Sequence, residues 1–148
     1  VITLDQVETR DNLRVVSDIG SRLPIYCTSQ GKVFLAHMSR TSAEALLRAQ
    51  HMTQFTPHTI TDLTALMQEI DLCRTDGYAI ENGEYKIGLR SISAPVYTVE
   101  GKARYTVGVI GMFRSTRSDE FLTAVEQVCA TASMISTALG YRKTEELL

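Results

Sequence analysis

Hydrophobic and polar residues alternate at the start of the chain and again in its second half, and helical spacing prevails elsewhere. The segments VITLDQVET (residues 1–9) and NLRVVSDIG (residues 12–20) carry β-branched residues in near alternation. This period of two predicts two strands joined by a polar turn. Pro24 ends the extended region, and the following stretch predicts a helix that runs to about His37.

Two helices are predicted in the middle of the chain. The segment SAEALLRAQ is rich in Ala and Leu and has Ser42 as its expected N-cap. The segment TITDLTALMQEIDLCRTDG is a clearer helix, which begins near Asp62 and ends at Gly77. Its apolar residues fall on one helical stripe: Leu63, Leu66, Met67, Ile70 and Cys73.

Residues 78–113 return to an extended pattern rich in Val, Ile, Tyr and Thr, with a break at Glu100 and Gly101 that suits a hairpin turn. A last helix is predicted from Ser118 to Gly140. Its apolar face comprises Phe121, Val125, Val128, Ala132, Ile135 and Leu139. The order of strands, helices, strands and helix, joined by short turns, predicts an α+β fold with an antiparallel sheet.

Length and composition are those of one globular domain over residues 1–148, with 44% hydrophobic and 22% charged residues and no internal repeat or linker. The net charge of -2 argues against duplex DNA binding by this chain alone. No segment resembles a membrane span or a signal peptide, so no membrane partner is expected. Three widely spaced cysteines predict free thiols in a reducing cytoplasm. The start at Val1 suggests that further sequence precedes it.

The stretch RLPIYCTSQGKVFLA (residues 22–36) concentrates the candidate chemistry. A nucleophilic Cys27 would need a nearby base, and the three histidines show no catalytic spacing. A single glycine does not make a phosphate loop, and His51 and His58 lack partners for a metal site, so neither a metal nor a cofactor is expected. The remaining interpretation is that Thr28 or Ser29 caps a helix whose free N–H groups bind a carboxylate or another acceptor. An ordinary cap without a ligand is the open alternative.

The second half adds polar groups to this picture. In GLRSIS, alternation sends Leu89, Ser91 and Ser93 to one face of a strand and Arg90, Ile92 and Ala94 to the other. Gly108 and Gly111 lie within a β-rich run, where glycine marks a bulge or a close approach to the backbone. Small hydroxyl side chains on a sheet beside a helix N-terminus favour ligand binding over catalysis.

Three segments together resemble the effector-binding domain of IclR-type bacterial transcription regulators: IGSRLPIYCTSQGKVFLA, GYAIENGEYKIGLRSISAPVYTVEGK and ISTALGYR. The resemblance covers nearly the whole chain. It implies a GAF-like fold, an antiparallel sheet flanked by helices with a pocket for a small-molecule effector on one side. It also implies assembly into homodimers or homotetramers. The family contacts DNA through an N-terminal winged helix-turn-helix domain, which is absent from this chain.

The resemblance also assigns a site by motif. In members that bind a small oxo-acid, the helix positions correspond to Ser29 and Gln30, with Cys27 and Thr28 adjacent. Glu81 corresponds to an acidic residue of the pocket, and Ser91 corresponds to a small polar residue. The apolar wall of the pocket corresponds to Val15, Leu23 and Leu89.

This chain departs from the oxo-acid binders at two positions. Gly108 and Ile110 stand where those proteins have two serines. The missing hydroxyls and the volume expected at Gly108 predict an effector that is larger or less polar than a two-carbon oxo-acid.

The expected function is therefore metabolite sensing, without catalysis. Binding of a carboxylic or aromatic acid would shift the DNA-binding equilibrium of the full-length protein. One alternative is a GAF-like enzyme using Cys27, such as a free methionine sulfoxide reductase, whose cysteines would have to meet around the cavity. Another is a dimerisation module without a cavity beside Ser29.

Overall fold

The computed structural model describes residues 1–8, 15 and 18–142. These residues form four helices and three strands, so the α+β class predicted from the sequence is confirmed. In chain order the elements are α1 (Ser29–Ala36), α2 (Arg40–Arg48), α3 (Leu63–Asp76), β1 (Ala79–Asn82), β2 (Arg90–Tyr97), β3 (Ala103–Gly111) and α4 (Asp119–Ala138).

The three strands form one antiparallel sheet in the order β1, β2, β3. The β2–β3 hairpin turns at Gly101, whose φ of 70° lies in the left-handed region that glycine adopts without steric cost. In the strand register, Glu81 lies opposite Ser91 on the β1 side. On the β3 side, Ser91 lies opposite Ile110 and Ser93 lies opposite Gly108.

The sheet has a different core on each face. Ile92, Ala94 and Val96 pack on one face against the inward residues of α4, which are Phe121, Val125, Val128 and Ala132. The other face meets α1, where Ser91 and Ser93 reach Ser29. The two-residue alternation predicted for β2 is therefore confirmed, and it places the hydroxyl side chains beneath α1.

The structure confirms one of the two N-caps proposed for α1 and gives α2 a different N-cap from the predicted one. Thr28 caps α1, since its Oγ1 accepts the Gly31 N–H at 3.2 Å. Asp62 similarly caps α3. The N-cap of α2 is Ser39 rather than Ser42, because the helix begins one turn earlier and Ser42 supplies the N–H that Ser39 accepts at 3.1 Å.

The apolar face of α4 is shorter than the spacing predicts. Ile135 and Leu139 are 37% and 44% exposed, so the predicted apolar face is not buried at its last two positions. The buried position in that turn is Ser136, whose Oγ donates to Ala132 O at 2.7 Å and accepts the Tyr97 N–H at 2.9 Å. The end of β2 therefore meets a hydrogen-bonding side chain there. No helix within the described ranges is both long and apolar enough to cross a bilayer.

The N-terminal segment shows antiparallel pairing over a short length only. Ile2 and Arg22 form an isolated bridge, and the Thr3 N–H donates to Ser21 O at 3.1 Å. Within residues 1–8 and 18–23 this bridge replaces the two full strands that the alternation predicts. The rest of that prediction, over residues 9–14 and 16–17, lies outside the described residues.

Candidate functional site

The first turn of α1 meets β1 and β2 in a buried polar cluster, which we call the serine–glutamate cluster. Its members are Ser29, Glu81, Ser91 and Ser93, each at most 2% exposed. Ser29 Oγ lies 2.8 Å from the Oγ atoms of both Ser91 and Ser93. Ser91 Oγ donates to Glu81 Oε2 at 3.2 Å. Three of the residues predicted from the sequence, Ser29, Glu81 and Ser91, are thus brought together.

The hydroxyl protons of this cluster are ordered by Glu81. A serine has one proton to donate, so Ser91, which donates to Glu81, must accept from Ser29. Ser29 has then used its own proton and accepts from Ser93. The 3.4 Å approach of Ser29 Oγ to Gln30 Oε1 is the longer and weaker contact. A hydrogen-bonded chain therefore leads from Ser93 to the carboxylate.

The start of α1 leaves two backbone donors unused. The Gly31 N–H bonds to the Thr28 side chain, and the Lys32 N–H bonds to Thr28 O at 3.0 Å. The N–H groups of Ser29 and Gln30 have no acceptor among the described residues. Ser29 is fully buried, and a buried donor without a partner is rare in folded proteins because it costs free energy. Together with the positive end of the helix dipole, these amides can bind an acceptor group.

Glu81 connects this cluster to the turn that follows β1. Its Oε1 accepts the N–H groups of Glu84 and Tyr85 at 2.5 and 3.1 Å, while Oε2 accepts from Ser91. Burial raises the pKa of the Glu81 carboxyl, and the three donors oppose that shift because they favour the ionised form. The carboxylate therefore holds the turn and the serines in one arrangement.

A buried ion pair lies beside the cluster and was missed by the sequence analysis. Lys32 is 1% exposed, and its Nζ donates to Glu84 Oε1 at 2.6 Å and to Ile80 O at 3.2 Å. The half-exposed Glu69 carboxylate is 3.5 Å from the same Nζ. Glu84 Oε2 is buried without a hydrogen-bond partner in the described part of the chain. A signal was present in the sequence, because Lys32 lies about one turn after Ser29 and directly before the apolar residues 33–36, so it belongs to the part of the helix that packs inward.

Burial suppresses thiolate chemistry at Cys27. The side chain is fully buried, and burial together with the negative Glu84 and Glu81 raises the pKa of the thiol to about 12. Cys73, on α3, lies in the same core, and burial raises its thiol pKa to about 11. Cys129 is on α4 against the other core cluster. These surroundings are those of packing residues and do not activate a nucleophile.

Gly108 does not open the space expected from its missing side chain. A Cβ built at this position would lie 2.4 Å from both Ile92 O and Ser93 Oγ. Ser93 and the β2 backbone already fill that volume, so the size argument for a larger effector was wrong. Ile110 lies opposite Ser91 and is 43% exposed.

The predicted apolar wall stays a prediction. Val15, Leu23 and Leu89 are each half-buried. Leu89 O accepts the Gly83 N–H at 2.9 Å and so closes the turn between β1 and β2. Leu23 donates its N–H to Val1 O at 2.9 Å, which ties the N-terminal segment to the entrance of α1.

The cluster is closed in this structure. A cavity beside Ser29 is predicted from the sequence, yet Ser29 and Ser91 contact each other directly, because their hydroxyl groups form a hydrogen bond. A cavity of about 260 Å³ lies nearby, lined by His58, Ile60, Glu69, Ile80, Asn82 and Glu84. A second cavity, of about 380 Å³, is lined by His37 and residues 101–104. The 260 Å³ cavity borders the Lys32–Glu84 pair through Glu84. A ligand that binds at the serine–glutamate cluster must replace the hydrogen bonds between the serines.

Comparison with known proteins identifies the family to which this chain belongs. Residues 1–137 match the family described as the bacterial transcriptional regulator IclR C-terminal domain. The chain belongs to the IclR family. The resemblance and the GAF-like architecture inferred from the sequence motifs are thus confirmed at the level of this effector-binding domain.

Individual relatives agree with this assignment. The HTH-type transcriptional repressor AllR of Escherichia coli K12 is 28% identical over 95% of this chain, and the match covers 52% of AllR. The C-terminal domain of E. coli KdgR is 32% identical, with a TM-score of 0.74 over 95% of this chain and 85% of that domain. A double mutant of the Acinetobacter PobR inducer-binding domain, solved with 3-hydroxybenzoic acid, shares the fold at 24% identity, with a TM-score of 0.71 over 82% of this chain and 70% of that one. The chain spans about half the length of the curated repressors it matches.

Proposed function

We propose that this domain senses a small metabolite and that binding shifts the DNA-binding equilibrium of the full-length regulator. DNA contact would come from an N-terminal winged helix-turn-helix domain outside residues 1–148, in a cytoplasmic homodimer or homotetramer. The domain itself would bind its effector without transforming it. The size of the shift is limited by the difference in effector affinity between the two regulatory states.

The amides of Ser29 and Gln30, which have no acceptor in the part of the chain that the structure describes, carry this proposal. They sit at the positive end of α1, one of them fully buried, next to three hydroxyls and a carboxylate. A carboxylate or carbonyl oxygen is the group that such amides bind best, because it accepts both donors and complements the helix dipole. A carboxylic or aromatic acid is therefore the proposed effector class.

The closed cluster supplies a mechanism for the shift. An acid that reaches the α1 amides must separate Ser29 from Ser91, which frees Ser91 and changes what Glu81 holds. Glu81 also anchors the N–H groups of Glu84 and Tyr85, so the β1–β2 turn would respond to occupancy. The oxo-acid binders have two serines where this chain has Gly108 and Ile110, and the missing hydroxyls argue against a two-carbon oxo-acid as the effector.

A thermal-shift screen of carboxylic and aromatic acids tests the proposal. An acid at about one hundred times its dissociation constant should stabilise the domain by about 2.7 kcal/mol and raise the melting temperature by several degrees. Ser91→Ala should weaken that response, while Ser133→Ala, on the exposed face of α4, should preserve it. A screen in which no acid gives a saturable shift would contradict the proposed function.

A further inference from the structure

The carboxylates beside the candidate site outnumber its cations. Glu81 and Glu84 are 2% and 5% exposed, and Lys32 is the buried cation beside them among the described residues, in contact with Glu84 alone of the two. Lys32 is committed to Glu84 at 2.6 Å and to Ile80 O, and it makes no ion pair with Glu81. When both glutamates are ionised, the buried layer has one negative charge more than it has positive charges. Placing a further simple anion there is unfavourable, because the low-dielectric interior strengthens repulsion between like charges.

Both carboxylates also have acceptor positions to spare. A carboxylate offers about four lone-pair positions. Glu81 uses three of them, two at Oε1 and one at Oε2, where Ser91 donates over a long 3.2 Å. Glu84 Oε2 has no donor within the described ranges, although it is buried. Buried acceptors of this kind are normally satisfied, so their surroundings call for a donor.

Acceptor-binding and donor-binding groups lie close together. Ser29, at the helix N-terminus, is joined to Glu81 Oε2 through Ser91 by two hydrogen bonds of 2.8 and 3.2 Å. Ser29 Oγ and Glu81 Oε2 are therefore at most about 6 Å apart. The Ser29 N–H belongs to the same residue, so a short molecule with a hydrogen bond at each end can connect the start of α1 with Glu81.

We infer that the effector is an acid that carries an ammonium group on the carbon next to its carboxylate, a 2-amino acid. This inference rests on the proposed function and names the ligand class of the same site. The carboxylate would bind the N–H groups of Ser29 and Gln30, and the ammonium group would bind Glu81. An ammonium group fits better than a hydroxyl, because it has three donors for the open acceptors of Glu81 and Glu84. It also cancels the charge of the ligand's own carboxylate, so an amino acid adds no net negative charge to the buried layer, whereas a hydroxy acid adds one.

Three series of acids test the inference in the 148-residue chain. Within each series the carbon skeleton is the same, and carbon 2 carries an amino group, a hydroxyl group or only hydrogen. Three skeletons cover different sizes: alanine, lactate and propionate; leucine, 2-hydroxy-4-methylpentanoate and 4-methylpentanoate; phenylalanine, 3-phenyllactate and 3-phenylpropionate. Calorimetric titration should show that, in the skeleton that fits, the amino acid binds about tenfold or more tightly than the unsubstituted acid. The hydroxy acid should fall between the two.

Variants separate the role of Glu81 from general stability. Glu81→Gln keeps the side-chain size and should reduce the preference for the amino acid to less than about threefold, since the charge assistance is lost. Glu126→Gln, on the exposed side of α4, should leave the preference unchanged. Native-state folding of each variant is checked by circular dichroism. A variant at Glu81 that retains the full preference would overturn the inference.

The outcomes distinguish this inference from the function on which it rests. If unsubstituted acids bind as tightly as the amino acids or more tightly, the domain is an acid sensor and the ammonium assignment is wrong. If no compound in any of the three series binds, both the ligand class and the proposed sensing function are contradicted. Binding of the amino acids that Ser91→Ala does not weaken would place them at another site and would also overturn the inference.

Discussion

Removing the Lys32 side-chain charge should cost this domain a large part of its stability. Lys32→Met keeps the length of the aliphatic side chain but leaves the Glu84 carboxylate buried without its 2.6 Å partner. At that separation the Coulomb attraction is about 6 kcal/mol for an effective dielectric constant of about 20. Desolvation of the two charges offsets much of this gain, so the net contribution of the intact pair is small.

Removing one partner of this buried ion pair costs more stability than the intact pair contributes. With Lys32 gone, the desolvation of Glu84 stays uncompensated, and the expected loss is about 3–5 kcal/mol in the free energy of unfolding at neutral pH. A double variant, Lys32→Met with Glu84→Gln, removes both charges and should recover much of that loss. Urea denaturation followed by circular dichroism measures each value. Lys102→Met is a matched control, because Lys102 is an exposed lysine with an exposed acidic neighbour, Glu100, and should leave the midpoint unchanged.

The stability deficit of Lys32→Met should depend on pH in a defined direction. Burial already raises the pKa of Glu84 in the native chain, and loss of the lysine raises that pKa further. Between the ordinary carboxyl pKa and the raised one, the native state keeps a proton that the unfolded state has released, so stability falls as pH rises. The deficit should therefore shrink at acidic pH. A loss below about 1 kcal/mol at pH 7, or one that is independent of pH, would refute the reasoning.

The remaining predictions concern the sheet and the thiols. Gly108→Ala should destabilise the domain by about 1–3 kcal/mol in urea denaturation, because its Cβ would lie 2.4 Å from Ile92 O. Gly111→Ala is the control, since the atoms nearest its Cβ would be those of the Phe113 ring, at 3.4 Å or more. An equal effect of both variants would contradict the packing described for Gly108. Cys27, with its thiol pKa of about 12, should not react with iodoacetamide at pH 8 until the protein unfolds. Rapid alkylation in the native state, measured by mass spectrometry, would restore the enzyme interpretation.

The sequence was sufficient to predict most of the architecture because its local signals agree with the tertiary contacts. Thr28, Asp62 and Ser118 cap their helices as their side chains favour. The alternation around Ser91 correctly separates the α1 face of the sheet from the α4 face. Helix capping and strand alternation depend on residues that are close together in the sequence, so they can be predicted without knowledge of the tertiary contacts.

Errors arose where long-range packing decides the outcome. The periodicity of α4 assigns Ile135 to the core, but the helix buries Ser136 there to meet the Tyr97 N–H of β2. Gly108 suggests free volume when the strand is considered alone, and its neighbour across the sheet, Ser93, fills it. Neither contact can be derived from spacing along one segment.

The candidate site was predicted in part for the same reason. Ser29, Glu81 and Ser91 belong to recognisable motifs, and the structure joins them. Lys32 and Glu84 are far apart in the sequence, and only the fold brings them together. The residues around Lys32 do not indicate which of the chain's glutamates it contacts. The charge balance beside the site, which determines the inferred ligand class, became visible only from the fold.

The most direct test of the metabolite site is an amide-resolved NMR titration of the 148-residue chain with leucine, 4-methylpentanoate and 3-hydroxybenzoate. The proposed site predicts saturable shifts, with at least one of the three acids, that are largest at the Ser29 and Gln30 amides and extend to Ser91. The amide of Ser133, on the exposed face of α4, should not shift. Titrations in which the Ser29 and Gln30 amides stay unchanged with all three acids would contradict a metabolite site at the start of α1.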